Sequence, residues 1–256
     1  MKTYKIKDNV YILEDSVGCC TNLVLGLNKA LVFDTGTGFD NLYEEIRKIT
    51  SLDLIVINSH GHFDHIGGND YFEKVYIHSD DYDLHKSGYT NGNVRTFMAD
   101  YYEKQCDNDF FSRGWGNFFK IDFDSFDLGN LYCEIKHMPG HTKGSIGVLI
   151  PSLKLLLSGD TLSPSICLNF PNSLSVEELL DTYNQIKKYE FDEYLTSHHT
   201  HAFKKKYIYF LENCCKESMC CKGYKYVSPI NPTYNAILYI YCDRDPIYSE
   251  CISIIK

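Results

Sequence analysis

Four metal-capable side chains crowd into six residues of this chain, in the string His60-Gly61-His62-Phe63-Asp64-His65. The string follows almost directly on Leu54-Ile55-Val56-Ile57, an unbroken apolar run closed by Asn58-Ser59. A run of that kind reads as a strand buried on both faces, in a sheet with helices on either side. Polar groups at the end of such a strand sit on a loop held by a rigid scaffold, the usual place for binding and catalytic residues. The string therefore points to an α/β fold with its chemistry at strand ends.

The arrangement recurs three times. His141 lies in Pro139-Gly140-His141-Thr142-Lys143-Gly144-Ser145, Asp160 in Ser158-Gly159-Asp160-Thr161, and His198 in Thr196-Ser197-His198. Each adjoins an apolar run and a turn. Imidazole nitrogen and carboxylate oxygen suit Zn²⁺, Fe or Mn. Five histidines and two aspartates are enough for two ions that share one bridging carboxylate and keep positions open for water. Taken singly the pieces say little, since His-x-His is often an exposed strand pair and Ser-Gly-Asp is a common turn. Together, each at a strand end, they point to a metal site.

These motifs, with Val32-Phe33-Asp34-Thr35-Gly36 upstream, resemble the metallo-β-lactamase-fold hydrolase superfamily over roughly Val10 to His201. The resemblance implies a four-layer αββα sandwich with the site at one edge between two sheets. It implies that His60, His62 and His141 hold a first divalent ion, that Asp64, His65 and His198 hold a second, and that Asp160 bridges them. Zinc is the first choice, with Fe or Mn as alternatives. The expected reaction is hydrolysis by a hydroxide held between the two ions, with Asp64 also orienting it or taking its proton. The family usually has Gly before the last histidine, whereas Ser197 stands there here. His198 ends the strand at the matching offset, and His201 is the runner-up. Asp34 either orients a ligand histidine or only makes the turn. Lys143 either meets an anionic substrate group or is a solvated lysine.

A small ester, thioester or lactone is the expected substrate. The motifs are similar to the glyoxalase II branch, but the C-terminal segment shows no match to that enzyme's glutathione-binding helices. Alternatives on the same fold are a mononuclear iron persulfide dioxygenase, a phosphodiesterase or a β-lactam hydrolase. A flavodiiron-type oxidoreductase would carry Glu where this chain has His62. A non-catalytic binding protein would be expected to have lost ligands.

Elsewhere the patterning predicts strands at Tyr4–Ile6, Val10–Glu14, Thr21–Gly26, Ala30–Asp34, Val75–His78, Asp124–Leu128 and Leu131–Met138, and a hairpin from Ile146 to Leu157. Helices are expected from Asp40 or Asn41, over Asn69–Lys74, after Ser79, over Val94–Cys106, over Val176–Tyr189 behind a Ser175/Glu178 capping box, and over Phe203–Cys221. Phe110, Phe111, Trp115, Phe118 and Phe119 wall a pocket or pack a core. The whole chain, 1–256, reads as one domain, with residues 203–256 a C-terminal helix and strand extension. His78, His85 and His137 read as structural. The cysteines at 19–20, 214–215 and 220–221 read as packing residues.

The formal charge of −9 disfavours a nucleic-acid partner. No apolar run reaches the ~18 residues a membrane span needs. Eleven cysteines, an odd number, with no export signal in view, lead to the expectation of free thiols and a cytoplasmic protein. No signal for an oligomeric state is visible.

Overall fold

The structure, a computed structural model, describes residues 1–84, 92–220, 222–227, 235–241 and 252–255; His85 and Cys221 lie outside them. Strands β1 (Lys2–Lys7), β2 (Val10–Glu14), β3 (Cys20–Leu25) and β4 (Lys29–Phe33) precede α1 (Leu42–Ile49), β5 (Asp53–Ile57) and the short α2 (Phe63–Ile66). Then come β6 (Val75–Ile77), α3 (Gly92–Tyr101), α4 (Asn108–Ser112) and β7 (Phe118–Lys120). β8 (Ser125–Asp127), β9 (Tyr132–His137), β10 (Ile146–Ile150), β11 (Leu155–Leu157) and β12 (Ser165–Cys167) lead to α5 (Val176–Ile186). Last are β13 (Glu193–Leu195), β14 (Phe203–Lys204), α6 (Ile208–Cys220), β15 (Tyr224–Val227), β16 (Asn235–Tyr241) and β17 (Ile252–Ile255).

Among the described residues these strands form three sheets, ordered β1-β2-β3-β4-β5-β6-β7, β14-β13-β11-β10-β9-β8 and β12-β17-β16-β15. Side-chain alternation decides how the first two stack. Ile12, Leu31 and Phe33 meet Ile146, Val148, Leu155 and Leu157 in an apolar core between the sheets. The alternate residues of the first sheet, Leu13, Ala30 and Val32, pack instead on Leu42 and Ile46 of α1. The alternate residues of the second, Leu149 and Leu156, pack on Leu179, Tyr183 and Ile186 of α5 and on Leu211 and Cys215 of α6. Three apolar layers between four structural layers make the αββα sandwich.

Register explains why distant motifs meet. β4 and β5 are parallel, with Phe33 opposite Ile57, so Asp34 and the His60 string leave the sheet at one edge. β11 and β13 are parallel, with Leu157 opposite Leu195, so Asp160 and His198 also leave together. β10 is antiparallel to both its neighbours, pairing Val148 with Leu157 and Ile146 with His137. The β9–β10 loop bearing His141 therefore opens at that same edge. Ile146 N–H donates to Ser59 O at 2.8 Å and Cys20 N–H to Ser197 O at 2.8 Å, joining the two sheets there.

Local sequence sets the helix ends. The Asn41 side chain accepts from Glu44 N–H at the start of α1, and Ser175 and Glu178 form a reciprocal capping box on α5. Several expectations need correcting. Ser79 opens a turn rather than a helix, and Asn69–Tyr71 is a single 3-10 turn. The helix expected to reach Cys106 ends at Tyr101, where Glu103 takes φ 51, and α4 and β7 occupy the stretch read as loop. Phe203–Lys204 is an edge strand on β13, so α6 starts only at Ile208. β12 was not foreseen, because its three residues pair with β17 from the far end of the chain.

Candidate metal centre

The site grows from the loops that follow β4, β5, β11 and β13 and from the β9–β10 connection. His60, His62 and His65 are buried, as is His141. His60 Nε2 lies 3.1 Å from His62 Nδ1, which lies 2.9 Å from His141 Nε2. With bonds near 2.0–2.1 Å, nitrogens around a tetrahedral ion stand about 3.3–3.4 Å apart, so these three nitrogens have the spacing of a ligand set.

The outer ring nitrogens decide where the protons sit. His141 Nδ1 is 2.7 Å from Cys167 O, a carbonyl that can only accept, so Nδ1 carries the hydrogen and Nε2 offers a lone pair. Ser59 Oγ donates its only hydrogen to Asp34 Oδ2 at 2.8 Å, so it must accept from His60 Nδ1 at 2.9 Å. His65 Nδ1 donates to Asp34 Oδ2 at 2.9 Å, and its buried Nε2 has no hydrogen-bond partner. His62 Nε2 faces Asn172 Oδ1 at 3.5 Å. Among His60, His62 and His141, lone pairs thus converge without protons between them, an arrangement that a cation relieves.

A second group lies beside the first. Asp160 Oδ2 is 3.5 Å from both His65 Nε2 and His141 Nε2, while Asp160 Oδ1 is 3.3 Å from His198 Nε2. Asp64 Oδ2 is 3.7 Å from His65 Nε2 and 3.5 Å from His198 Nε2. The electrostatics split accordingly. Burial, then the neighbouring imidazoles, hold His60 and His62 well below the ordinary histidine range. Burial also lowers His141, against Asp160. Burial opposes charge on His65 and His198 too, but the carboxylates of Asp160 and Asp64 outweigh it and raise both. Asp160 is pushed up by burial and down more strongly by His198 and His65, and ends well below the usual carboxylate range.

All seven expected ligands come together in this way. Asp34 stands behind them: its carboxylate accepts from Ser59 N at 2.6 Å, Ser59 Oγ, Ser197 Oγ at 2.6 Å and His65 Nδ1. It holds φ 65, a strained value for a non-glycine residue. Of the last histidines, His198 faces Asp160 and Asp64, whereas His201 is exposed and packs on Phe203 at 4.6 Å with the rings tilted. Lys143 is exposed. His78 and His137 stack at 4.4 Å, nearly parallel, and with Asp80 form a separate, more exposed group.

Some residues that shape the site carry no motif. Asp81 is buried, and its carboxylate accepts from Gly61 N at 3.0 Å, Thr142 Oγ1 at 2.7 Å and Gly144 N at 2.8 Å, tying the His60 loop to the His141 loop. A Cβ on Gly144 would fall 2.6 Å from that carboxylate, and one on Gly159 2.5 Å from Ser59 Cβ, so both close approaches need glycine. Phe170 packs on His62 at 4.6 Å and on His141 at 6.0 Å. Phe110, in contrast, stacks on Phe39 and lies under the Arg95 guanidinium, away from the ligands. Asp81 and Phe170 reach the site from loops whose local pattern is ordinary; only the tertiary fold reveals them.

The model of the metallo-beta-lactamase superfamily matches residues 20–198, which span all seven candidate ligands. The chain belongs to that superfamily. It is 29% identical over 163 residues to the Acyl-coenzyme A thioesterase MBLAC2 of Homo sapiens, covering 55% of this chain and 57% of that protein. It is 25% identical over 141 residues to the Probable metallo-hydrolase YqgX of Bacillus subtilis (strain 168), covering 53% of this chain and 62% of that one. The chain thus spans a little over half the length of these curated relatives. Among solved structures, a metallo-beta-lactamase from Pontibacter korlensis superposes with TM-score 0.62 at 15% identity, covering 84% of this chain and 98% of that one. The sec-alkylsulfatase Pisa1 from Pseudomonas sp. gives TM-score 0.65 at 14% identity, covering 84% and 41%. These likenesses establish the fold. Among the described residues no helix is long and apolar enough to cross a membrane, and the described cysteines are free thiols.

Proposed function

We propose that this protein is a metal-dependent hydrolase of small esters, thioesters foremost, and that it holds two divalent ions, zinc by preference. His60, His62 and His141 hold the first, Asp64, His65 and His198 the second, and Asp160 is shared. One observation carries the reading: the buried His60 Nε2 and His141 Nε2, with their hydrogens committed elsewhere, converge within 3.1 Å of His62 Nδ1, and beside them His65 Nε2 and His198 Nε2 face the carboxylates of Asp160 and Asp64.

When bound, the ions supply Lewis acidity and bring the pKa of water near 7, so that a nucleophile exists at neutral pH. The chain's own residues do the positioning. Cys167 O, Ser59 and Asp34 fix the tautomers of His141, His60 and His65. Asp160, within 3.5 Å of nitrogens from both groups, has the place of a shared carboxylate. Asp64 is partly open to solvent beside His198, where it orients the attacking water and accepts its proton. Phe170, over His62 and His141, gives the apolar wall that shields the reacting carbonyl and receives an acyl chain.

The thioester preference draws on the relatives named acyl-coenzyme A thioesterase. The test is elemental analysis of purified protein, then a screen of thioesters, lactones, β-lactams and phosphodiesters with metal-free and zinc-reloaded samples. The reading expects thioester cleavage in the reloaded sample only. Turnover in verified metal-free protein, or oxygen uptake with a single bound iron, would overturn it.

A further inference from the structure

Cys19 lies beside the second group of candidate ligands and is not a member of the three apolar clusters that pack the layers. Its Sγ, a carboxylate oxygen of Asp64 and a ring nitrogen of His198 all lie within 4.8 Å of one another. The side chain is buried, at 3% exposure. Its neighbour Cys20, the first residue of β3, packs into the core between the two sheets. Buried cysteines usually pack as small hydrophobes, but this one also has a carboxylate and an imidazole beside it.

The backbone is built to hold it there. Asp15 Oδ1 accepts from Cys19 N at 2.9 Å and from Val17 N at 3.0 Å, and Asp15 N donates to Cys19 O at 2.8 Å. Asp15 Oδ2 accepts from Thr37 Oγ1 at 2.6 Å, anchoring this bend to the loop after β4. Cys20 N–H donates to Ser197 O, immediately before His198. The thiol is thus fixed from two directions relative to His198. The buried His65 Nε2, which makes no hydrogen bond of good geometry, lies 3.7 Å from Asp64 Oδ2 on the other side of this group and is a second, independent sign that a ligand belongs there.

We propose that Cys19 is a further ligand of the second ion, joining Asp64 and His198 through its sulfur. The inference rests on the two-ion reading above. On binding, the S–H bond is replaced by a sulfur–metal bond and the proton leaves to solvent. A thiolate in this position selects soft and borderline ions, zinc and cadmium, over manganese or magnesium.

Zinc-edge X-ray absorption on the full chain, reloaded to two zinc ions, tests it. The expected spectrum has a sulfur shell near about 2.3 Å beside nitrogen and oxygen at about 2.0–2.1 Å, with about half a sulfur per zinc on average. Cys19→Ser is expected to lose that shell while retaining zinc; if that variant does not fold, Cys19→Ala carries the same comparison. Two zinc ions with only nitrogen and oxygen neighbours in the wild-type protein would overturn the thiolate and leave the two-ion reading standing. A sulfur shell that survives in the variant would also overturn it. Zinc content of one or fewer per chain would overturn both.

Discussion

Replacing Asp34 by Asn changes one atom and tests how the second ion is held. The Asp34 carboxylate accepts four hydrogen bonds, three of them on Oδ2, from Ser59 Oγ, Ser197 Oγ and His65 Nδ1. Asparagine tolerates φ 65, so the turn survives. Whichever way the amide sits, an N–H group faces donors on one side. If it replaces Oδ2, His65 must move its hydrogen to Nε2, which points it at the ligand site. Losing such a supporting partner costs about 10–100-fold in metal affinity, or about 1.4–2.7 kcal/mol. Each lost bond to the charged carboxylate adds about 1.5–3 kcal/mol of instability, less than additively. Chelator competition for the second zinc, with denaturant unfolding in parallel, measures both. Second-ion affinity within twofold of wild type in a folded Asp34→Asn protein would refute the reasoning.

Three further outcomes are expected. Asp81→Ala leaves the buried Gly61 and Gly144 N–H groups without an acceptor, while Thr142 Oγ1 can still donate to Ser145 Oγ, so unfolding free energy is expected to fall by about 2–3 kcal/mol or more; an unchanged denaturant midpoint would contradict this. His65 and His198 are raised by Asp160 and Asp64, so in the metal-free protein both stay protonated above the ordinary imidazole value of 6.5. Zinc needs their Nε2 lone pairs, so binding at pH 7 is expected to release protons, fewer as pH rises above their pKa values; calorimetry in buffers of different ionisation heat reads this, and no release would contradict it. Ser175→Ala removes the α5 capping box and is expected to cost about 1 kcal/mol without altering zinc content; a loss of zinc would show that the cap reaches the site.

The strings that carry the candidate ligands were legible because metal ligation needs particular atoms, and His60, His62, Asp64 and His65 follow a strand whose apolar run is unmistakable. β2 read correctly to the residue for a similar reason, since it is an uninterrupted core strand bounded by turns. Asp81, Phe170 and Cys19 were opaque as site residues. Each acts through neighbours far along the chain, and nothing local separates Asp81 from an exposed turn aspartate or Cys19 from a packing residue. β12 failed the same way, being three residues whose partner strand lies about ninety positions later. The 92–120 stretch misread because its short elements gain their order from tertiary contacts, such as Arg95 over Phe110 and Trp115, more than from periodicity.

The claim beneath the whole account is that seven side chains from separate loops hold two ions. Anomalous diffraction from zinc-soaked crystals examines it directly. The account predicts two zinc peaks, one among His60, His62 and His141 and the other among Asp64, His65 and His198, with Asp160 reaching both. A single peak, or none at saturating zinc, would contradict it.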